Sequence, residues 1–296
     1  MSRSRWFFGV SGVVCLLVGS GAASAQPGGR HLGGNIKYSS GQNIQPIFEG
    51  WSKSPDGGFT MHFAYLNRNH VEELHVPIGP ENNVEPGGPD RAQPTYFYPR
   101  FNRAAFTVTV PNDWGKKEVT WTVTVRGRTE KAVGWLQPEW EIDPVSRGID
   151  RSVENAAPTL SIEKAPPRAT VAVPLTLAAA VADDGLPPPP KTAGRSRAAG
   201  PPTFQVPPNS PSEPVNVPGI ERESRGRGAR GLTVTWFVWR GPAAVEFDPP
   251  VSEIKDAGKT AVTATFARPG EYVLRARASD TWASATEDIS ITVSER

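Results

Sequence analysis

The chain holds a single cysteine, Cys15, in 296 residues, and that one lies in an N-terminal apolar run. No disulfide can therefore hold the fold together, and stability has to come from burial. Histidine is almost as scarce, with four in all. None follows His75, so no later serine has a histidine downstream to activate it, and no G-x-S-x-G is present. Phosphate-cradling glycine motifs are missing too, since "GRGARG" precedes a strand pattern rather than a helix. Neither sign of charge dominates: 32 basic residues face 30 acidic ones. Without Arg3 and Arg5 the balance is zero, which leaves no global field to draw the chain onto nucleic acid or anionic lipid. Long apolar runs are absent. Trp6 to Val18 is shorter than the roughly 20 residues a spanning helix needs, and no later segment comes near it, so the chain reads as not membrane-spanning.

The first residues, "MSRSRWFFGVSGVVCLLVGSGAASAQ", have a basic start, a short apolar stretch and small residues ending in Ala23-Ser24-Ala25. This is the pattern of a secretory signal peptide over residues 1–25, with cleavage before Gln26. Cys15 sits in "GVVC" with more apolar chain after it, unlike a lipid-anchored cysteine. The expected location is periplasmic or extracellular. The roughly 270 residues that remain suffice for two hydrophobic cores.

Proline (31) and glycine (29) are plentiful and fall between β-branched runs, which predicts short strands and many turns. A Gly-rich leader covers 26–41. Then Phe59, Met61, Phe63 and Tyr65 alternate with Thr60, His62 and Ala64, the period of a half-buried strand. Phe106, Val108 and Val110 repeat it, and Val119, Trp121, Val123 and Val125 do so opposite three threonines. "EKAVGWL" adds a short candidate strand. The stretch "PIGPENNVEPGGPDRAQPTYFYPRFN" is rich enough in Pro, Gly and Asn to predict one long loop. Residues 42–145 therefore read as an all-β sandwich domain, followed by a polar linker at 146–156.

In the second half, Val173, Leu175, Leu177, Ala179 and Val181 alternate. Pattern then stops at "VADDGLPPPP". Between Leu186 and Gly231 lie 11 prolines, seven Lys or Arg and three acids, with almost no large apolar residue. Such a segment cannot bury enough surface to offset its ordering entropy, so 187–230 is expected to be a disordered insertion. Order returns at "LTVTWFVWRGPAAVEF". Joined across the gap, residues 156–294 resemble a PKD-type (polycystic kidney disease repeat) immunoglobulin-like domain. The resemblance rests on the "NAAP" entry, the "VADDGLP" turn, Trp236 with Gly241-Pro242 after it, "PGEYVLRARASD" and the alternating final strand. Two features depart from that pattern: "FVWRG" follows Trp236 in place of an acidic, Gly-rich turn, and the insertion splits the domain. The resemblance implies a seven-strand sandwich over 157–296 that serves as a spacer or adhesion module without catalysis. The fold class is therefore all-β, with two immunoglobulin-like β-sandwich domains, the second interrupted.

Candidate sites are few. "HVEELH" places His70 and His75 five apart, whereas a helical zinc pair needs four, and on a strand five puts the rings on opposite faces. A polar edge or loop explains the motif as well, and neither His31 nor His62 completes a ligand set. Asp183, Asp184 and Asp280 flank strands at places where carboxylates either hold Ca²⁺ or shape turns. Arg91, Tyr96, Phe97, Tyr98 and Arg100, with Phe101 nearby, form a candidate binding surface of aromatics and guanidinium groups. The same aromatics would also serve to cover an open end of the sandwich. "RESRGRGAR", 222–230, is a basic run without interleaved aromatics, so nucleic acid is not expected. No catalytic residue, metal or cofactor is implied. The leading expectation is a non-catalytic binding or spacer protein whose partner is an envelope protein or polysaccharide. The alternative is a carbohydrate-active or metal-assisted hydrolase built around His62, His70, Glu73 and the 77–103 loop.

Overall fold

A computed structural model describes residues 37–54, 56–142, 155–163, 166–186, 231–254, 257–280 and 282–295. The stretches read as a signal sequence (1–25), a leader (up to Ile36, with His31), a linker (up to Glu154) and an insertion with its basic run (187–230) lie outside the described residues. Those that are described form strands, turns and one 3₁₀ turn at Pro138–Trp140. No helix among them is long and apolar enough to cross a membrane.

The first half contributes β1 (Ile44–Lys53), β2 (Phe59–Asn67), β3 (Leu74–His75), β4 (Asn82–Glu85), β5 (Tyr96–Phe97), β6 (Arg100–Val110), β7 (Val119–Val125) and β8 (Arg128–Gly134). One sheet has the order β1-β2-β6 and the other β4-β7-β8, while β3 and β5 pair separately. In the lettering of immunoglobulin domains these are strands A-B-E and C-F-G. The period of two places Phe63, Phe106 and Trp121 in the core between them; Phe63 and Phe106 stack at 5.1 Å, and Trp121 meets both edge to face, 4.8 Å from Phe106.

The second half contributes β9 (Thr159–Ile162), β10 (Arg168–Thr170), β11 (Leu175–Ala182), β12 (Thr233–Arg240), β13 (Val245–Asp248), β14 (Val251–Glu253), β15 (Ala257–Phe266), β16 (Gly270–Ser279) and β17 (Ser284–Ser294). Its sheets run β13-β15-β11-β9 and β10-β17-β16-β12-β14, the A-B-E-D and C-F-G arrangement. β10 pairs parallel to β17. Two further marks of the fold are present. Trp236 is buried on the C strand, β12. At the start of the F strand, Tyr272 donates its hydroxyl to the carbonyl of Arg268 at 2.9 Å, a tyrosine corner. The molecule is thus all-β, with two immunoglobulin-like sandwiches.

Two strand expectations need correction. The long loop predicted from "PIGPENNVEPGGPDRAQPTYFYPRFN" contains β4 and β5 and the start of β6. β4 forms without an apolar pattern because the Asn82 side chain supplies the anchoring. Its Nδ2 donates to the carbonyls of Val76 and Pro94, and its Oδ1 accepts from Trp121 Nε1 at 3.0 Å. Val173, read as an inward residue of a strand, is exposed in a turn before β11. Its N–H bonds back to Thr170, and Ala172 takes a positive φ of 58°, which ends the extended run there.

Candidate functional site

The two sandwiches meet along the edge of β12. Strand β14 covers only Thr233–Thr235 of that edge, so the backbone groups from Val238 onward need other partners. The segment between β4 and β6 supplies them. Val238 N–H donates to Tyr98 Oη at 2.8 Å, Thr95 N–H to the carbonyl of Trp239 at 3.2 Å, and Gly241 N–H to Thr95 Oγ1 at 3.2 Å. Arg240 donates from Nε to the carbonyl of Gln93 and closes a bidentate pair with Asp90 at 3.0 and 2.7 Å. That pair holds the Asp90 carboxyl below the usual carboxylate range.

Side chains are exchanged across the same line. Tyr96 and Tyr98, from the first half, belong to the core of the second sandwich. Trp239, from the second half, belongs to the core of the first. Arg275 lies over the Trp239 ring at 3.6 Å and is itself held by Asp288. Burial raises the hydroxyl pKa of Tyr65, Tyr96 and Tyr98 well above the phenol range; Tyr65 and Tyr98 accept from the N–H groups of Tyr98 and Val238, and Tyr96 donates to Glu73. Between the sandwiches lies a cavity of about 90 Å³ lined by Tyr96, Arg103, Trp239, Arg275 and Arg277 among others.

The candidate binding surface read from sequence is placed as follows. Tyr96, Phe97 and Tyr98 are 4%, 0% and 7% exposed, so these aromatics pack inward and present no open recognition surface. Their burial follows from their size and from the two cores on either side of them. Arg91 is half-buried and donates to the carbonyl of Pro86 at 2.6 Å. Arg100 is exposed, at a positive φ of 67°, and reaches the carbonyl of Arg68.

The residues of the hydrolase alternative have separate partners. His62 Nε2 shares a hydrogen bond with Ser52 Oγ, while Glu73 accepts from the Tyr96 hydroxyl. His70 and His75 both have pKa values lowered by burial, with Arg100 and Lys37 adding to the effect at His70. No group of three or more His, Cys, Asp or Glu side chains among the described residues is arranged to hold a metal ion. The carboxylates at the end of the second sandwich shape turns: Asp280 accepts from the N–H groups of Trp282 and Ala283, and Asp184 from those of Ala156 and Leu186.

Asp90, Gln93, Thr95, Trp239 and Arg240 went unread in the sequence. One signal for them was present. In "TVTWFVWR" the inward series Val234, Trp236, Val238 is interleaved with Phe237 and Trp239, and a strand apolar on both faces is covered on both.

No family model matches the chain, and no curated protein matches it. Among solved structures, domains 4 and 5 of the S-layer protein SbsC align over 85% of this chain and 97% of that one, at 9% identity and a TM-score of 0.25. The D0-D1 domain of intimin aligns over 84% and 97%, at 11% identity and a TM-score of 0.23. The titin domains z1z2, solved in complex with telethonin, align over 87% and 100%, at 9% identity and a TM-score of 0.22. At these scores the likenesses carry no reading of what the chain does.

Proposed function

We propose that the protein is an exported, non-catalytic binding and spacing protein of the cell envelope, periplasmic or extracellular, whose two sandwiches work as one stiff body. The observation behind this reading is the reciprocal joint, with Tyr96 and Tyr98 in one core and Trp239 in the other. A hinge that had to move would not bury aromatics in both directions or place a hydrogen bond from the Val238 N–H to the Tyr98 hydroxyl inside the contact. A body of this kind suits holding a ligand at a fixed distance or orientation. The export sequence at 1–25, domain limits at 42–145 and 157–296, and a PKD-type character for the second sandwich all belong to this reading. So does a partner that is an envelope protein or polysaccharide rather than nucleic acid.

The test is made in the producing cell. Fractionation should recover the protein outside the cytoplasm with Gln26 at its N-terminus, and cross-linking should capture it with an envelope component. Loosening the joint with Tyr98→Phe and Arg240→Ala together should reduce that capture while leaving both sandwiches folded. Cytoplasmic recovery with an intact N-terminus would sink the export half of the proposal. Equal capture by the loosened variant would sink the stiff-body half.

A further inference from the structure

Away from the joint, the chain leaving β8 folds back along β1 as a strap. Trp51 Nε1 donates to the carbonyl of Gln137 at 2.7 Å, Ile142 N–H to the carbonyl of Trp51 at 2.7 Å, and Trp51 bridges Glu141 in parallel. The strap lies so close that a Cβ at Gly50 would stand 2.5 Å from the carbonyl oxygen of Trp140. This fixes Trp140 on the surface. Its ring stacks on Phe48 at 5.2 Å and 18° and on Trp135 at 5.6 Å and 28°. It nevertheless stays 40% exposed, while Phe48 beneath is buried.

The strap could have covered Phe48 with a small side chain. Instead it presents a supported indole beside a hollow of about 430 Å³, lined by Phe48, Glu49, Glu139, Trp140, Glu141 and Ile142. The hollow is open, nearer to a surface than to an enclosed cleft, so a ligand would lie on it.

We infer that this hollow binds a neutral polysaccharide of equatorially substituted pyranose units, one ring lying against Trp140. An aromatic floor with a carboxylate rim also suggests a cationic ligand, and the local charge balance decides between the two. Glu49 is already engaged by the Arg103 guanidinium at 3.5 Å and by the Ala104 N–H at 2.7 Å. Glu141 is engaged by the Lys53 ammonium at 2.9 Å. Two of the three carboxylates thus act as hydrogen-bond acceptors whose charge is compensated within the chain. Acceptors around an apolar floor match a pyranose, which offers C–H groups on its face and hydroxyl donors at its rim. The cavity at the joint, at about 90 Å³, is too small to take such a ring. The inference rests on the binding-protein reading above and gives that reading a ligand class.

The experiment is native affinity electrophoresis of the full chain in gels containing hydroxyethylcellulose, with alginate gels and tetramethylammonium chloride as comparisons. Hydroxyethylcellulose should retard the protein, and Trp140→Ala should weaken that retardation by about tenfold. Glu139→Ala, at an exposed position that cannot disturb the core, should weaken it by about two- to fivefold with an unchanged melting temperature. Tyr38→Ala, at another exposed aromatic, should change nothing. No retardation in hydroxyethylcellulose would overturn the inference, as would equal retardation of wild type and both hollow variants. Stronger retardation in alginate, or its abolition by tetramethylammonium, would point to an ionic site and overturn it too. The two proposals fail separately. New reducing ends released from the polymer would sink the non-catalytic reading and leave the site standing, whereas absent binding sinks the site alone.

Discussion

The hydroxyl of Tyr98 accepts a hydrogen bond from the backbone N–H of Val238 at 2.8 Å, across 140 positions of sequence and between two separate sandwiches. Both groups are buried, so the N–H has no water to fall back on. Tyr98→Phe keeps the ring and removes only the acceptor. Leaving a buried backbone donor unsatisfied costs about 1–3 kcal/mol. A denaturant titration should show that loss, and should show it in the unfolding of the second sandwich, although the substitution lies in the first half. A loss under about 0.5 kcal/mol would mean that the N–H finds another partner and that the joint depends on packing alone.

Alkaline pH gives a second measurement of the same joint. Burial raises the pKa of Tyr65, Tyr96, Tyr98 and Tyr272 in the folded protein. An unfolded chain titrates its phenols near pH 10. Above that pH the unfolded state has released protons that the folded state keeps, so stability falls as pH rises. Tyrosinate absorbance from these four residues should therefore emerge together with unfolding and as cooperatively. A gradual rise near pH 10 of more than one phenol's amplitude, in a protein still folded by circular dichroism, would show that the buried phenols are open to solvent, the fifth tyrosine, Tyr38, being exposed.

The two core tryptophans should respond differently to the same change. Trp121 donates its indole N–H to Asn82 Oδ1 at 3.0 Å, whereas the buried N–H of Trp236 has no hydrogen-bond partner among the described residues. Truncation to Ala should cost about 3–5 kcal/mol at either site, because both rings fill a core. Substitution by Phe separates them. Trp121→Phe strands the Asn82 oxygen and loses a made bond, while Trp236→Phe removes a donor that was already unsatisfied. The first should therefore be the more destabilising by about 1 kcal/mol in denaturant titrations. Equal losses would show that ring volume alone sets the outcome.

What could be read from sequence follows from where each strand's stabilisation comes from. β2, β6 and β7 bury one face, and burial requires alternation, so Phe63, Val108 and Trp121 were legible by period alone. β4 is held by amide groups, and "NNVE" has no apolar period to detect. The joint was hidden for a different reason. Thr95 and Tyr98 lie in a Pro- and Gly-rich stretch, and their partners Trp239 and Val238 stand more than a hundred residues later. No local pattern encodes such a pairing. The hollow at Trp140 depends on the strap's path over Gly50, and that path shows only once β1 and β8 are side by side.

The last prediction concerns residues 187–230. Both sheets of the second sandwich are assembled from strands on either side of that segment, with β11 ending at Ala182 and β12 beginning at Thr233. The core they enclose runs, among the described residues, from Leu177 and Val181 to Trp236 and Ile291. By its place in the chain the segment joins two strands of different sheets, and we propose that it acts on stability through its length alone. Closing a flexible connection costs only about 0.6 kcal/mol per doubling of length. Replacing Pro188 to Arg230 by a Gly-Ser linker of about ten residues shortens the connection roughly threefold, so the expected change is a gain of about 1 kcal/mol. Thermal and denaturant unfolding of the shortened protein should show an unchanged cooperative transition at an equal or slightly higher midpoint. A shortened protein that fails to fold, or one destabilised by more than about 2 kcal/mol, would mean that the segment packs against the sandwich.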